Sequence, residues 1–267
     1  GVVLVAVAGL FGERLVASGI ADAALLGPMA FALVAVTVVL HGFSLRPFAA
    51  ALGLADKGNP GVIIVGGSRF AAAFAEALQK RDVPVLIADA NRARLRSARE
   101  SGLPVFFGDI LSEAAEHGAE ITSYGRVLAV SDNDAYNTLV ATDLGPEFGR
   151  DNVFQLKRAK QDSRRHALPT TLGGRAIAGG LTYLDLASKM SAGWQMRATK
   201  LTEEYTFETW RAANPEAILL AEHDAGGELR LIVADETPRK QKDVTLLSFS
   251  PQKDSRDKAQ PDPHRAE

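Results

Sequence analysis

Cysteine is absent from this sequence, which excludes disulfides, thiol catalysis and thiolate-held metals and fits a reducing compartment. Aromatic residues are scarce, 7% in a chain that is 46% hydrophobic. Ala, Val and Leu therefore carry the apolar surface, as they do in membrane helices and buried parallel sheets. No sign of charge dominates, and a net charge of -2 gives no global attraction for nucleic acid or acidic substrates. The histidines (41, 117, 166, 223 and 264) are scattered without metal-ligand spacing. There is no nucleophile-elbow sequence and no paired general acid and base, so no catalytic activity is expected.

Charge is also missing locally, between Asp22 and Arg46. Residues 23–45 show no polar face at helical spacing, with only Thr37 and His41 interrupting. A helix that is apolar all round lies in lipid or deep in a large core. Its length and charged flanks match the hydrocarbon thickness, which favours a transmembrane helix. Pro28 falls near its start, where a missing N–H costs little. Residues 1–12 are uncharged too, are closed by Glu13 and Arg14, and read as the tail of a preceding span. Because Gly1 stands inside that run, the chain reads as a C-terminal fragment. No basic segment precedes the apolar run, against a signal peptide. Arg46 and Lys57 on one side outnumber Arg14 on the other, which places the C-terminal side in the cytoplasm.

Beyond the Lys57-Gly58-Asn59-Pro60-Gly61 linker the pattern changes to short apolar runs separated by helical stretches. Strands are expected at 62–65, 85–88, 104–107, 127–130 and 153–156. Helices are expected at 70–81, 92–101, within 111–117, and from the Ser131-Asp132-Asn133-Asp134 cap to about Leu144. That alternation is the signature of a parallel sheet covered on both faces. After Leu156 comes a basic, loop-like stretch. A strand at 175–177, helices at 183–190 and 207–213, a strand at 195–201, a hairpin of 218–222 with 229–233, and a strand at 244–249 follow. The fold class expected is α/β: a Rossmann-like parallel sheet, preceded by transmembrane helix and followed by a small mixed α/β domain. The boundaries are 1–54, 59–156, 157–250 and, for a charged tail expected to be disordered, 251–267.

The chain is organised around Val62-Ile63-Ile64-Val65-Gly66-Gly67-Ser68-Arg69-Phe70-Ala71. A strand, a tight turn and a helix N-terminus make a phosphate-binding corner. The dinucleotide fingerprint Gly-x-Gly-x-x-Gly keeps its first glycine as Gly66 and replaces the others with Ser68 and Ala71. Gly67 completes the turn, and Arg69 at the helix start can contact a phosphate. Asp89 ends the second strand about 20 residues on, where such folds hydrogen-bond ribose hydroxyls. Asp109 and Ser131 end the next two strands on the same carboxyl edge. The alternatives are structural: a turn without ligand, and Asp89 as a cap for the following helix. The arginines at 92, 94, 96 and 99 read as a solvated helix face. Lys157, Arg158, Lys160, Arg164 and Arg165 fit lipid headgroups, a phosphate or a plain basic loop.

Thr37-Val38-Val39-Leu40-His41-Gly42-Phe43-Ser44-Leu45-Arg46-Pro47-Phe48, running into Leu52-Gly53-Leu54, resembles the last transmembrane helix of bacterial monovalent cation:proton antiporters. Gly1-Val2-Val3-Leu4-Val5-Ala6-Val7-Ala8 resembles the helix before it. Residues 62–156 resemble the TrkA-N (RCK N-terminal) domain fused behind such transporters. The stretches that carry this likeness are Leu86-Ile87-Ala88-Asp89-Ala90-Asn91-Arg92, Val105-Phe106-Phe107-Gly108-Asp109 and Val130-Ser131-Asp132-Asn133-Asp134. The resemblance implies the regulatory end of an antiporter of Na⁺ or K⁺ against H⁺, in the inner membrane, with residues after about 46 cytoplasmic. It also implies an adenine nucleotide ligand (AMP, ATP or NAD(H)), membrane lipid as partner, a homodimer and no nucleic acid. Ser68 crowds the place of a pyrophosphate, which favours a mononucleotide over NADH. The apolar runs hold no carboxylate, so these residues are not expected to transport ions themselves. The ligand-sensing region of a potassium channel or uptake system is the runner-up, and an NAD-dependent oxidoreductase a third reading.

Overall fold

In the computed structural model the described residues are 2–51, 60–113, 115, 121–159, 172–240 and 242–252. They fall into two compact units, Gly1–Lys57 and Gly58–Glu267.

The first unit is a helical hairpin. Helix α1 (Val2–Ala17) runs through Glu13 and Arg14 instead of stopping at them. What ends it is backbone: Gly19 takes a positive φ of 92°, Gly19 N–H donates to Val16 O, and Ile20 N–H donates to Leu15 O. Those bonds cap the last carbonyls regardless of nearby charge. A 3₁₀ turn (Ala21–Leu25) leads into α2 (Leu26–Ala51). The helices approach closely at glycine. A Cβ on Gly12 would stand 2.8 Å from Ala23 O, and one on Gly27 would stand 3.5 Å from the Gly9 Cα. The stretch Ala21–Leu45 is long and apolar enough to cross a membrane, with mean hydropathy 2.4. Its large side chains, among them Phe31, Val38 and Phe43, point outward. The helix continues past Pro47, which deprives the Phe43 carbonyl of its donor without ending the turn.

The second unit begins with a parallel sheet. Strands β1 (Gly61–Val65), β2 (Val85–Asp89), β3 (Val105–Phe107), β4 (Tyr124–Ala129), β5 (Val153–Gln155) and β6 (Arg175–Ala176) lie in the order β3-β2-β1-β4-β5-β6. All their pairings are parallel. This is the doubly wound order, whose direction reverses between β1 and β4. β1 is fully buried on both faces, which is why it reads as unbroken branched apolar residues. Helix α3 (Arg69–Gln79) and α4 (Arg96–Glu100) follow β1 and β2; α5 (Asp134–Asp143) and the short α6 (Gly145–Phe148) follow β4.

Two expected elements shift. The helix expected from residue 92 starts at Arg96, because side chains hold the preceding turn. Asp89 Oδ1 accepts from Asn91 N–H, and Asn91 Oδ1 accepts from Ala93 N–H. β4 starts at Tyr124, earlier than expected, since Gly125 in it lets Pro60 pack where a Cβ would be 2.3 Å away. Residues 57–59 of the expected linker, residues 114, 116 and 117 of the stretch 111–117 where a helix is expected, the basic residues Lys160, Arg164 and Arg165, and nearly all of the 251–267 tail lie outside the described residues.

After β6 come α7 (Tyr183–Ser191), β7 (Gln195–Lys200), α8 (Phe207–Ala213), β8 (Ile218–Asp224), β9 (Leu229–Leu231) and β10 (Val244–Ser250). These strands form an antiparallel sheet in the order β7-β10-β8-β9. One of its faces packs on α3 and α7, so Phe70, Phe74, Leu186, Leu220, Leu247 and Phe249 share one core with Val62 and Ile64. On the other face Trp210 of α8 packs with Leu201, Leu219 and Leu246. The parallel sheet's second face packs separately, around Ile63, Val65, Val127 and Val140. An ionic chain joins the two sheets: Arg175 on β6 binds Glu236 at 2.8 Å, Glu236 binds Arg230, and Arg230 binds the buried Glu222 at 3.2 Å.

Candidate functional site

The carboxyl ends of β1, β2 and β4 and the residues just beyond β3 open onto a cleft of about 1020 Å³. Such crevices outside the switch point are where open α/β sheets bind ligands, and the size suits a nucleotide. Gly66, Asp89, Asp109 and Ser131 of the expected site line it. Gly67, Ser68 and Arg69 do not: they line a smaller cavity of about 290 Å³ beside α7, with Phe70, Tyr183 and Met190. The expected corner is therefore divided between two cavities. The residue that lines both is Arg94.

The turn explains itself by packing. Gly66 has φ 112°, and a Cβ there would stand 2.5 Å from Ser131 N. A Cβ on Gly67 would stand 2.8 Å from the Arg94 carbonyl oxygen. Ser68 is the N-cap of α3, its Oγ accepting from Ala71 N–H at 3.0 Å. Ala71 is fully buried, as the packing role of the third fingerprint position requires.

Asp89 is held rigidly. Its Oδ2 accepts from Gly67 N–H and its Oδ1 from Asn91 N–H, each at 2.7 Å. One bond per oxygen leaves lone pairs for a ligand hydroxyl. Asp109 Oδ1 accepts from Leu111 N–H at 3.0 Å and from the Tyr136 hydroxyl at 2.6 Å. Burial first, and then this carboxylate, push the Tyr136 phenol above its ordinary pKa. Tyr136 thus stays protonated at neutral pH and acts as a donor. Ser131 is committed to the fold: its N–H and its hydroxyl both donate to Asn137 Oδ1, at 2.9 and 2.7 Å, and Asn137 returns a bond to Ser131 O. Both residues are buried, so this clamp fixes the loop into α5.

The arginines at 92, 94, 96 and 99 divide. Arg96 pairs with Glu100 on the surface, and Arg92 lies over the Phe107 ring at 4.8 Å. Arg94 turns back across the cleft and binds Asp132 through two parallel bonds of 2.7 and 2.6 Å. Its part in the site was missed in the sequence because four arginines at near-helical spacing look like one solvated face. Tyr136 and Asp132 were missed because neither lies on a strand end. Arg158 also lines the cleft, with a buried Nη1 that has no hydrogen-bond partner among the described residues. No cluster of metal-ligating side chains occurs among the described residues.

Residues 62–170 match the TrkA-N domain family. The TrkA-N half of the resemblance read from the sequence is thereby supported, and the match does not extend to the apolar residues before it. No curated protein matches the chain. Among solved structures, the chain is similar to the crystal structure of the GsuK RCK domain, at 14% identity and TM-score 0.35, over 71% of this chain and 43% of that one. It is similar to the GsuK channel bound to NAD, at 12% and 0.38, over 72% and 36%. It is also similar to N5-carboxyaminoimidazole ribonucleotide synthetase from Thermotoga maritima, at 8% and 0.27, over 72% and 46%. The chain spans less than half the length of each.

Proposed function

We propose that the unit after Pro60 is a nucleotide-binding regulatory domain, and that the chain is the C-terminal part of a monovalent cation:proton antiporter. The observation that carries the first part is the pair of carboxylates, Asp89 and Asp109, facing one cleft at the carboxyl edge of a doubly wound sheet. In this reading Asp89 takes the ribose hydroxyls of an adenine nucleotide, AMP, ATP or NAD(H). The second part rests on the antiporter-like sequence of residues 37–54 and on the apolar stretch Ala21–Leu45. The TrkA-N match serves a potassium channel or uptake system equally well. An oxidoreductase is disfavoured because the sequence offers no paired general acid and base and carries the apolar stretch Ala21–Leu45. In the same reading the domain works as a homodimer on the cytoplasmic side of the inner membrane.

Calorimetric titration of the detergent-solubilised chain with AMP, ATP, NAD and NADH tests the ligand. Asp89→Ala is expected to weaken binding roughly ten- to a hundredfold, the loss of one charge-assisted hydrogen bond of about 1.5–3 kcal/mol. Asp89→Asn keeps an acceptor for Gly67 N–H and separates loss of the turn from loss of the ribose contact. Affinity unchanged in both variants removes Asp89 from the site, and no binding by any of the four nucleotides ends the sensor reading. The membrane part is tested by topology reporters. A fusion after Gly58 is expected to report the cytoplasm, because Arg46 and Lys57 flank that end. A periplasmic signal would reverse the assignment.

A further inference from the structure

Resting on the nucleotide reading above, we propose that Arg94 selects an anionic ligand in this cleft and that Asp132 restrains it until a phosphate takes its place. The reason is the balance of charge in the cleft. Several amides beside it are already used, Gly67 N–H by Asp89 and Ala135 and Tyr136 N–H by Asn133, and the first residues of α3, Arg69 and Phe70, line the smaller cavity instead. The cleft is lined by the carboxylates of Asp89, Asp109, Asp132 and Asp134 against the guanidiniums of Arg94 and Arg158. With acids in excess, a phosphate entering it as it stands meets net repulsion. Arg158 has its Nη1 buried. Arg94 is different: its side chain and that of Asp132 are 37% and 40% exposed.

At that exposure the pair is screened by solvent and salt and is open to exchange with a competing anion. A phosphate offers the same two-oxygen geometry with more charge, which a guanidinium fork matches well. Exchange of Asp132 for phosphate leaves Arg94 paired throughout. Arg94 also lines the smaller cavity at the start of α3, so freeing its side chain opens the boundary between the two cavities. The pair is thus a latch over the glycine turn, and a neutral nucleoside has no means of exchanging with it.

The test compares adenosine with AMP on the full chain in detergent, for wild type, Asp132→Asn, Arg94→Ala, Arg94→Lys and Arg158→Ala. Asp132→Asn is expected to strengthen AMP binding about three- to tenfold, with adenosine changed less than about twofold. Arg94→Ala is expected to weaken AMP about tenfold and to abolish its advantage over adenosine. Arg94→Lys should restore part of that advantage, since a lysine keeps the charge but loses the fork. Thermal melts of the variants report whether the fold is kept. Adenosine binding with an AMP preference that follows Arg158→Ala, or that ignores both Arg94→Ala and Asp132→Asn, overturns this inference and leaves the nucleotide reading standing. Binding of neither ligand to wild type or to Asp132→Asn overturns both.

Discussion

Phe249→Ala is expected to lower the stability of the unit after Pro60 by about 3–5 kcal/mol, the range for deleting a buried aromatic ring. The ring is fully buried on β10, edge-on to Phe70 at 5.5 Å and 5.3 Å from Trp194. Phe70 stands in the first turn of α3, so this contact ties the antiparallel sheet to the helix that follows the glycine turn. A loss of that size is a large share of a domain's typical 5–15 kcal/mol. It is also expected to act on both sheets together, because they share the core that runs from Val62 to Phe249. Hydrogen exchange read by mass spectrometry checks this. Protection at β1 and at β10 should fall in parallel in Phe249→Ala. If β10 loses protection while β1 keeps it, the residues after Leu156 are an independently folding domain and the shared core is only a contact surface.

The parallel sheet was legible in the sequence because its inner strands are buried, and β1, β2 and β5 therefore advertise themselves as apolar runs. The apolar stretch of residues 23–45 was legible for a similar reason: nothing charged interrupts it. The division placed at 156 rested on a change of texture, and residues on both sides of it share one core. Periodicity says which face of an element is apolar but not what covers it. The face of α3 that carries Phe70 and Phe74 is satisfied by β10, far along the chain. The lining of the cleft was legible at or just past a strand end, as at Asp89 and Asp109. It was not legible where a turn or a side-chain bond redirects a residue. Ser68 and Arg69 follow the glycines by one and two positions yet line the smaller cavity. Arg94 reaches the cleft from the turn that Asx bonds at Asp89 and Asn91 hold ahead of α4.

Gly66→Ala is expected to cost about 2–6 kcal/mol, more than any ordinary surface change. Two effects combine. The backbone at Gly66 has φ 112°, a region closed to residues with a Cβ, and holding such a residue there costs on the order of 1–3 kcal/mol. The added methyl would also stand 2.5 Å from Ser131 N and 2.6 Å from Ser131 Cα. Those are backbone atoms of a loop pinned by the buried Ser131–Asn137 clamp, so they cannot swing aside as a side-chain tip would. Overpacking against a fixed neighbour adds roughly 1–3 kcal/mol. Gly102→Ala separates the two effects. Gly102 also has a positive φ, 69°, but nothing lies within 4 Å of its added Cβ. There only the left-handed backbone penalty of about 1–2 kcal/mol applies. Urea denaturation of wild type and the two variants should rank Gly66→Ala well below Gly102→Ala. Equal losses would mean that the β4–α5 loop yields. The glycine would then be kept for its backbone conformation alone, and the clamp would be softer than its hydrogen bonds imply.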